Sequence, residues 1–251
     1  MANICLALGR LGMSAVVCGT IGRDPAGRLL GELLTDAGIR HVGTETSATP
    51  VSVSMPLAGD RAFVSFIPPS EIDSEAIARL RPRAVVVDLP EVSAVRAGPR
   101  IYAVVGEPEV RQLLKTAADP LSSDSLDDIT TLFTNEREAL ALSGASDAWL
   151  AATILAQRGT VVVVALGDRG ALAASPDGRV LHEPTPPVLV RDTTGAGDLV
   201  TAAWIWADLG GRSLEERLRI AVSYAAHSLA AHADGPRGLN RTTFEEISIS
   251  G

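Results

Sequence analysis

Two acidic residues bracket a glycine pair in Asp192-Thr-Thr-Gly-Ala-Gly-Asp198, directly before the apolar, helix-periodic run from Leu199 to Leu209. The first amides of a helix lack intrahelical acceptors, and the aligned peptide dipoles add partial positive charge there, so such an end attracts anions. Glycines at 195 and 197 carry no Cβ, which lets a phosphoryl group approach the amides of Gly195, Ala196, Gly197 and Asp198. A carboxylate beside that anion is electrostatically costly unless it does work. Asp198 could do it by taking the proton from a hydroxyl that attacks phosphorus. The same residues also fit a plainer role, with Asp198 capping the helix and the glycines permitting a tight turn. Taken alone, the motif leaves both readings open.

The elements that must position this motif alternate along the chain. Ser14 to Gly19, Ala84 to Asp88, Ile101 to Val105, Ile129 to Phe133 and Thr160 to Leu166 are short apolar runs rich in valine and isoleucine, the pattern of strands buried on both faces. Helical periodicity covers Pro25 to Ala37, Glu109 to Ala117, Glu136 to Leu142, Asp147 to Gln157 with Ser146 as N-cap, Gly197 to Leu209 and Leu214 to Ala231. Val188 to Arg191 reads as extended, which puts Gly195 to Asp198 at a strand-to-helix turn. Strand and helix in alternation predict an α/β fold of three layers, α/β/α, around a mostly parallel central sheet. Val51 to Phe66 breaks the rhythm. It alternates apolar and polar residues on both sides of Gly59-Asp60, a hairpin composition, and is expected to project beside the sheet as a small β-hairpin lid over 51–66. The alternative is an antiparallel edge of the main sheet. Pro120 to Asp128 is a polar surface loop.

Composition bounds the function classes. A chain of 251 residues with 46% hydrophobic content can bury one sizeable core, so residues 1–251 are expected to form a single domain. A net charge of -8 argues against nucleic acid or an anionic membrane as partner, because no basic field is available. The longest apolar runs, such as Val161 to Leu166, fall far short of the ~20 residues that span a bilayer. With no signal peptide at its start, the chain is expected in the cytoplasm. Cys5 and Cys18 have neither metal-ligand nor disulfide-framework spacing. Competing motifs fail on single residues. Val200 stands where a dinucleotide fingerprint needs a third glycine or alanine. The only lysine, Lys115, follows no P-loop glycines, and no GxSxG or HExxH occurs. His227 and His232 are five apart and off a common helical face.

On these residues the chain resembles the ribokinase-like (PfkB) carbohydrate and nucleoside kinases. DTTGAGD, Asp192 to Asp198, resembles their C-terminal signature, and other pieces follow in the family's order. NICLALGRLG, Asn3 to Gly12, is followed by GTIGRDPAG, Gly19 to Gly27, similar to the G-x-x-G-x-D-x-x-G stretch. The hairpin is similar to the family's β-lid. TNEREAL, Thr134 to Leu140, resembles the N-x-x-E motif, and ALGDRGAL, Ala165 to Leu172, the T-L-G-x-x-G motif. GRSLEERLRIAVSYAA, Gly211 to Ala226, fits after the signature.

The resemblance implies an ATP-dependent, magnesium-requiring kinase that moves the γ-phosphate to a hydroxyl of a sugar or nucleoside-like small molecule. Asp198 would be the catalytic base, and Gly195, Ala196 and Gly197 the anion hole. Asn135 and Glu138 would organise magnesium and phosphate through water, although a surface polar pair is the plainer reading of those two residues unaided. Gly167 and Gly170 would form the nucleotide-side turn, with adenine between it and the helix around Val222 to Ala226. Asp192 and Thr194 match a segment that offers oxygens to a monovalent cation, K+, in some members, and Asn3 matches an asparagine that contacts the sugar. Lid-to-lid pairing implies a homodimer. Several positions depart from the pattern: Ala165 replaces a threonine, Ala203 a glycine, and Gly106-Glu107 an Asp-Pro pair. The family's opening strand, with its acidic substrate ligand and Gly-Gly pair, is expected to be missing before Asn3. The alternative reading is therefore a truncated nucleotide-binding homologue without catalysis.

Overall fold

The computed structural model describes residues 1–57, 60–68, 72–95, 98–106, 128–190, 192–231 and 238–249. The expected helix Glu109 to Ala117 and nearly all of the loop from Pro120 lie outside them.

Six strands form the main sheet, in the order β12 (Val180–Glu183), β11 (Ala171–Ala174), β10 (Val161–Ala165), β9 (Ile129–Asn135), β8 (Arg100–Val104), β7 (Ala84–Asp88). The four strands from β7 to β10 are parallel, and β11 and β12 return antiparallel as a meander at one edge. Side-chain alternation splits the apolar residues between the two faces. Leu132, Val162 and Val164 pack with Ala139, Leu142, Ala151, Ala152 and Leu155 of α4 (Glu136–Ser143) and α5 (Ala148–Ala156). Phe133 and Val163 pack on the other side. Their partners there include Ile4 and Leu8 of α1 (Ala2–Arg10), Trp204 of α6 (Ala196–Leu209) and Leu218 of α7 (Leu214–Ala231). Three layers result, as the alternation predicts.

The remaining strands pair in twos. β1 (Val16–Cys18) runs parallel to β3 (Arg40–Val42), and β2 (Ile21–Gly22) parallel to β4 (Glu45–Thr46). β5 (Val51–Leu57) and β6 (Asp60–Phe66) form an antiparallel hairpin that is a sheet of its own, so the lid reading holds over the main-sheet edge. Helix α2 (Pro25–Asp36) is fixed by Asp24. Its carboxylate accepts from the Gly27 amide at 2.8 Å, the Thr49 amide at 2.9 Å and the Thr49 hydroxyl at 2.7 Å. That clasp is what the Gly19 to Gly27 stretch builds. Helices α3 (Ser74–Leu80) and α8 (Arg241–Ile249) are the remaining helices among the described residues.

Two local expectations are corrected. The N-cap of α5 is Asp147, whose side chain accepts from the Leu150 amide at 2.9 Å; Ser146 lies one residue too early to reach that third amide. Val188 to Val190 form no strand, so α6 is entered from an irregular segment, and Arg191 lies outside the described residues.

Candidate active site

In a parallel α/β sheet, ligands sit beyond the carboxyl ends of the strands. Asp88, Asn135 and Ala165 end β7, β9 and β10 at that edge, and Asp198 in the first turn of α6 is near enough for its charge to act on Asp88. Gly195 is the N-cap of α6 at φ 80, a left-handed conformation that glycine adopts without steric cost. No side chain caps this end. The Ala196 amide donates to the Thr193 carbonyl at 3.1 Å and is thereby occupied. The amides of Gly195, Gly197 and Asp198 have no partner among the described residues. A Cβ at Gly197 would meet nothing within 4 Å, so packing does not explain that glycine, whereas an approaching ligand would.

Asp198 projects from this turn, half-buried, and accepts a hydrogen bond from Asn3 Nδ2 at 3.0 Å. The contact joins residues 195 positions apart, and it rests on α1 packing along α6. Asn3 and Asp198, both named from the sequence, are thus in one place. Asp192 folds onto its own loop: Oδ1 accepts from the Thr194 amide at 2.8 Å and the Thr194 hydroxyl at 2.7 Å.

Asn135 and Glu138 form a reciprocal capping box at the start of α4. The Asn135 side chain accepts from the Glu138 amide at 2.9 Å, and Glu138 Oε2 accepts from the Asn135 amide at 2.8 Å. A capping box is a structural use that the N-x-x-E spacing signals on its own. The neighbouring Thr134 hydroxyl is buried with no hydrogen-bond partner, alone in that respect among the described residues.

Gly167 and Gly170 bound the turn from β10 to β11. Gly170, at φ +93, is enforced by packing: a Cβ there would lie 1.9 Å from the Glu183 carbonyl oxygen. Gly167 is exposed with open space around it. Val222 is buried in the core between α7 and the sheet. Among the described residues no group of three or more His, Cys, Asp or Glu side chains could cage a metal, and no single helix is long and apolar enough to cross a membrane.

Sequence reasoning passed over Asp88. Ala84 and Val86 pack toward α6 while Val87 packs toward α5, so alternation turns Asp88 toward α6 and α1. It is half-buried and makes no hydrogen bond among the described residues. Burial raises its carboxyl above the ordinary value; the Asp198 charge pushes the same way and the Met1 ammonium opposes both. The signal was a charged residue ending an otherwise apolar strand.

The far end of α6 is anchored separately. Asp208, almost fully buried, receives Arg100 Nη1 at 2.8 Å, Arg217 Nη1 at 2.7 Å and the Tyr102 hydroxyl. Trp204 donates from Nε1 to the Thr131 hydroxyl at 3.3 Å. These contacts fix the helix whose other end carries Asp198.

Known proteins are similar to the chain in sequence and in fold. The profile of the pfkB family carbohydrate kinases matches residues 107–237. The chain is similar to ketohexokinase from Mus musculus, 40% identical over 70 residues, or 28% of this chain and 24% of that protein. The matched stretch is thus about a quarter of that relative's length. Among solved structures, the fold is similar to ribokinase from Arabidopsis thaliana complexed with ribose and ATP: 25% identity, TM-score 0.78, covering 98% of this chain and 85% of that one. It is also similar to a protein assigned as Ribokinase II from E. coli in complex with ATP and Mg2+, at 20% identity and TM-score 0.81, covering 100% and 88%.

Proposed function

The chain belongs to the pfkB family of carbohydrate kinases, and from that premise we propose that it transfers the γ-phosphate of ATP to a hydroxyl of a sugar or nucleoside-like small molecule. One observation carries the reading: Asp198, held by Asn3, stands at a helix start where the amides of Gly195, Gly197 and Asp198 have no partner among the described residues. Asp198 accepts the proton of the acceptor hydroxyl. That oxygen forms its bond to phosphorus as the bond to the leaving ADP oxygen breaks and its electron pair departs with ADP. The three amides and the helix dipole receive the charge on the phosphoryl oxygens. Asn3 keeps the carboxylate oriented, and the Ala196 amide, bound to Thr193, holds the turn.

Magnesium, bound together with ATP, would neutralise phosphate charge. Glu138, whose Oε2 is held by the Asn135 amide, would reach it through water. Gly167, open to solvent, would admit the nucleotide beside the turn that Gly170 closes, with α7 alongside and Val222 packed in the core beneath it. The Asp192–Thr194 loop would offer oxygens to a monovalent cation such as K+.

We further propose a homodimer through the lid, in the cytoplasm where ATP is available. Val51, Val53, Met55, Val64 and Phe66 fall on one face of the hairpin by register and are all exposed. An apolar face of this kind is normally covered.

A coupled ADP-release assay over a panel of sugars and nucleosides, with ATP and magnesium, tests the proposal. Acceptor-dependent turnover is expected; ADP release that no acceptor stimulates would refute it.

A further inference from the structure

Arg169 and Glu136 pair across the two loops that leave neighbouring strands of the main sheet. Ala165 and Asn135 are in register at the ends of β10 and β9, so the residues that follow them depart from the carboxyl edge side by side. After β10 comes the turn Gly167–Arg169, closed by Gly170; after β9 comes the first turn of α4, which opens with Glu136. Arg169 Nη2 donates to Glu136 Oε2 between these loops, joining residues 33 positions apart. The turn itself is fixed by other contacts. The Leu166 amide donates to the Gly170 carbonyl at 2.8 Å, and His182 Nε2 donates to the Arg169 carbonyl at 2.9 Å. The His182 ring lies in turn against Trp149, with ring centroids 5.7 Å apart. Arg169 therefore extends its guanidinium to Glu136 from a backbone that is already held.

Both side chains stay partly exposed, 52% for Arg169 and 37% for Glu136, so the pair contributes little to folding. What it changes is the charge at the start of α4. That helix end carries partial positive charge and favours a phosphate oxygen. Glu136 is the first residue of the helix, and an unpaired carboxylate there would take up the same field and repel an arriving triphosphate. A guanidinium on the carboxylate cancels that repulsion. We propose that Arg169 is a positioning residue for ATP that acts through Glu136, neutralising its carboxylate and holding it against the Gly167 turn so that the triphosphate can approach the strand ends. The proposal rests on the phosphotransfer reading for the identity of the nucleotide, and binding measured without turnover tests it separately.

The experiment compares the wild-type chain with Arg169→Ala, Arg169→Lys and the double variant Arg169→Ala/Glu136→Gln. Affinity for a non-hydrolysable ATP analogue with magnesium is measured by calorimetry, and ATP KM, kcat and melting temperature are measured beside it. Arg169→Ala should weaken analogue binding and raise ATP KM about fivefold or more, with kcat at saturating ATP within about twofold of wild type. Arg169→Lys keeps the charge and should lose less. The double variant should return analogue affinity to within about twofold of wild type, because the uncompensated carboxylate is gone. Neither a folding defect nor a direct contact between Arg169 and phosphate would give that rescue. Melting temperatures should stay close to wild type in all three. Analogue affinity within about twofold of wild type in Arg169→Ala, a double variant as weak as Arg169→Ala, or no analogue binding by the wild type would overturn the proposal. Analogue binding in the expected order, with no acceptor phosphorylated, would instead defeat the catalytic reading and leave this one standing.

Discussion

Strands β10 and β1 are written in nearly the same letters, TVVVVAL and SAVVCG, yet they end in different surroundings. β10 lies between β9 and β11 and has helices on both faces, and Val162, Val163 and Val164 are 0–1% exposed. β1 pairs with β3 alone among the described residues; Val16 and Val17 are half-buried and Cys18 is exposed. A valine run predicts a strand, but neighbours decide how much water it excludes. The difference extends to the halves these strands belong to. From β9 to α7 the chain is tied by apolar packing, and its buried Asp208 binds it to Arg100 and Tyr102 of β8. From β1 to β6 it consists of two-stranded pairs held by turn chemistry such as the Asp24 clasp.

That contrast can be broken experimentally. Trp204 is fully buried, edge-on to Phe133 with ring centroids 6.2 Å apart, so Trp204→Ala should cost about 3–5 kcal/mol in urea unfolding. Val17→Ala, in the half-buried β1, should cost well under half of that; equal losses would show that the two halves share one core. Gly170→Ala forces a Cβ against the Glu183 carbonyl in a left-handed conformation and should cost about 1–3 kcal/mol, measurable the same way. Asp24→Ala should give a smaller loss, seen as a lowered melting temperature with the melt of the β9-to-α7 half little changed. The Asp24 carboxyl is held below its ordinary value, chiefly by the Thr49 amide and then by the Thr49 hydroxyl and the Gly27 amide. Its contribution is therefore complete above the unfolded value near 3.8 and fades as pH falls through the folded one, so the variant and wild type should converge in acid. The smallest effect is alkaline. Burial pushes the Tyr224 hydroxyl from 10.0 up to about 12. The folded state then holds that proton longer than the unfolded state, and stability present below pH 10 should decline toward pH 12, less steeply in Tyr224→Phe.

The same contrast explains what the sequence made legible. Strands β7 to β10 could be read because burial on both faces leaves continuous apolar runs, and α7 was bounded to the residue because its periodicity is unbroken. β2 and β4 have two residues each and depend on Gly22 and Thr49 meeting across 27 positions, a contact with no local pattern. At the site, Asp198 and its glycines were visible as a contiguous motif. The companion contact to Asn3 followed from resemblance alone, since spacing says nothing about residues 195 apart. Asn135 and Glu138 were read for magnesium, while their spacing equally encodes the capping box. Asp88 was hidden because one charged letter after AVVV is also how a strand simply ends.

Asp198 is proposed as the base at the start of α6. That role is tested most directly by the Asp198→Asn variant with an acceptor that the wild type phosphorylates, measuring kcat together with ATP affinity by calorimetry. The variant keeps the shape and can still bond Asn3 but cannot take the proton. A loss of about 100-fold or more in kcat, with ATP affinity nearly unchanged, is the expected result. A kcat within a few-fold of wild type would contradict that role and leave Asp198 as no more than the partner of Asn3.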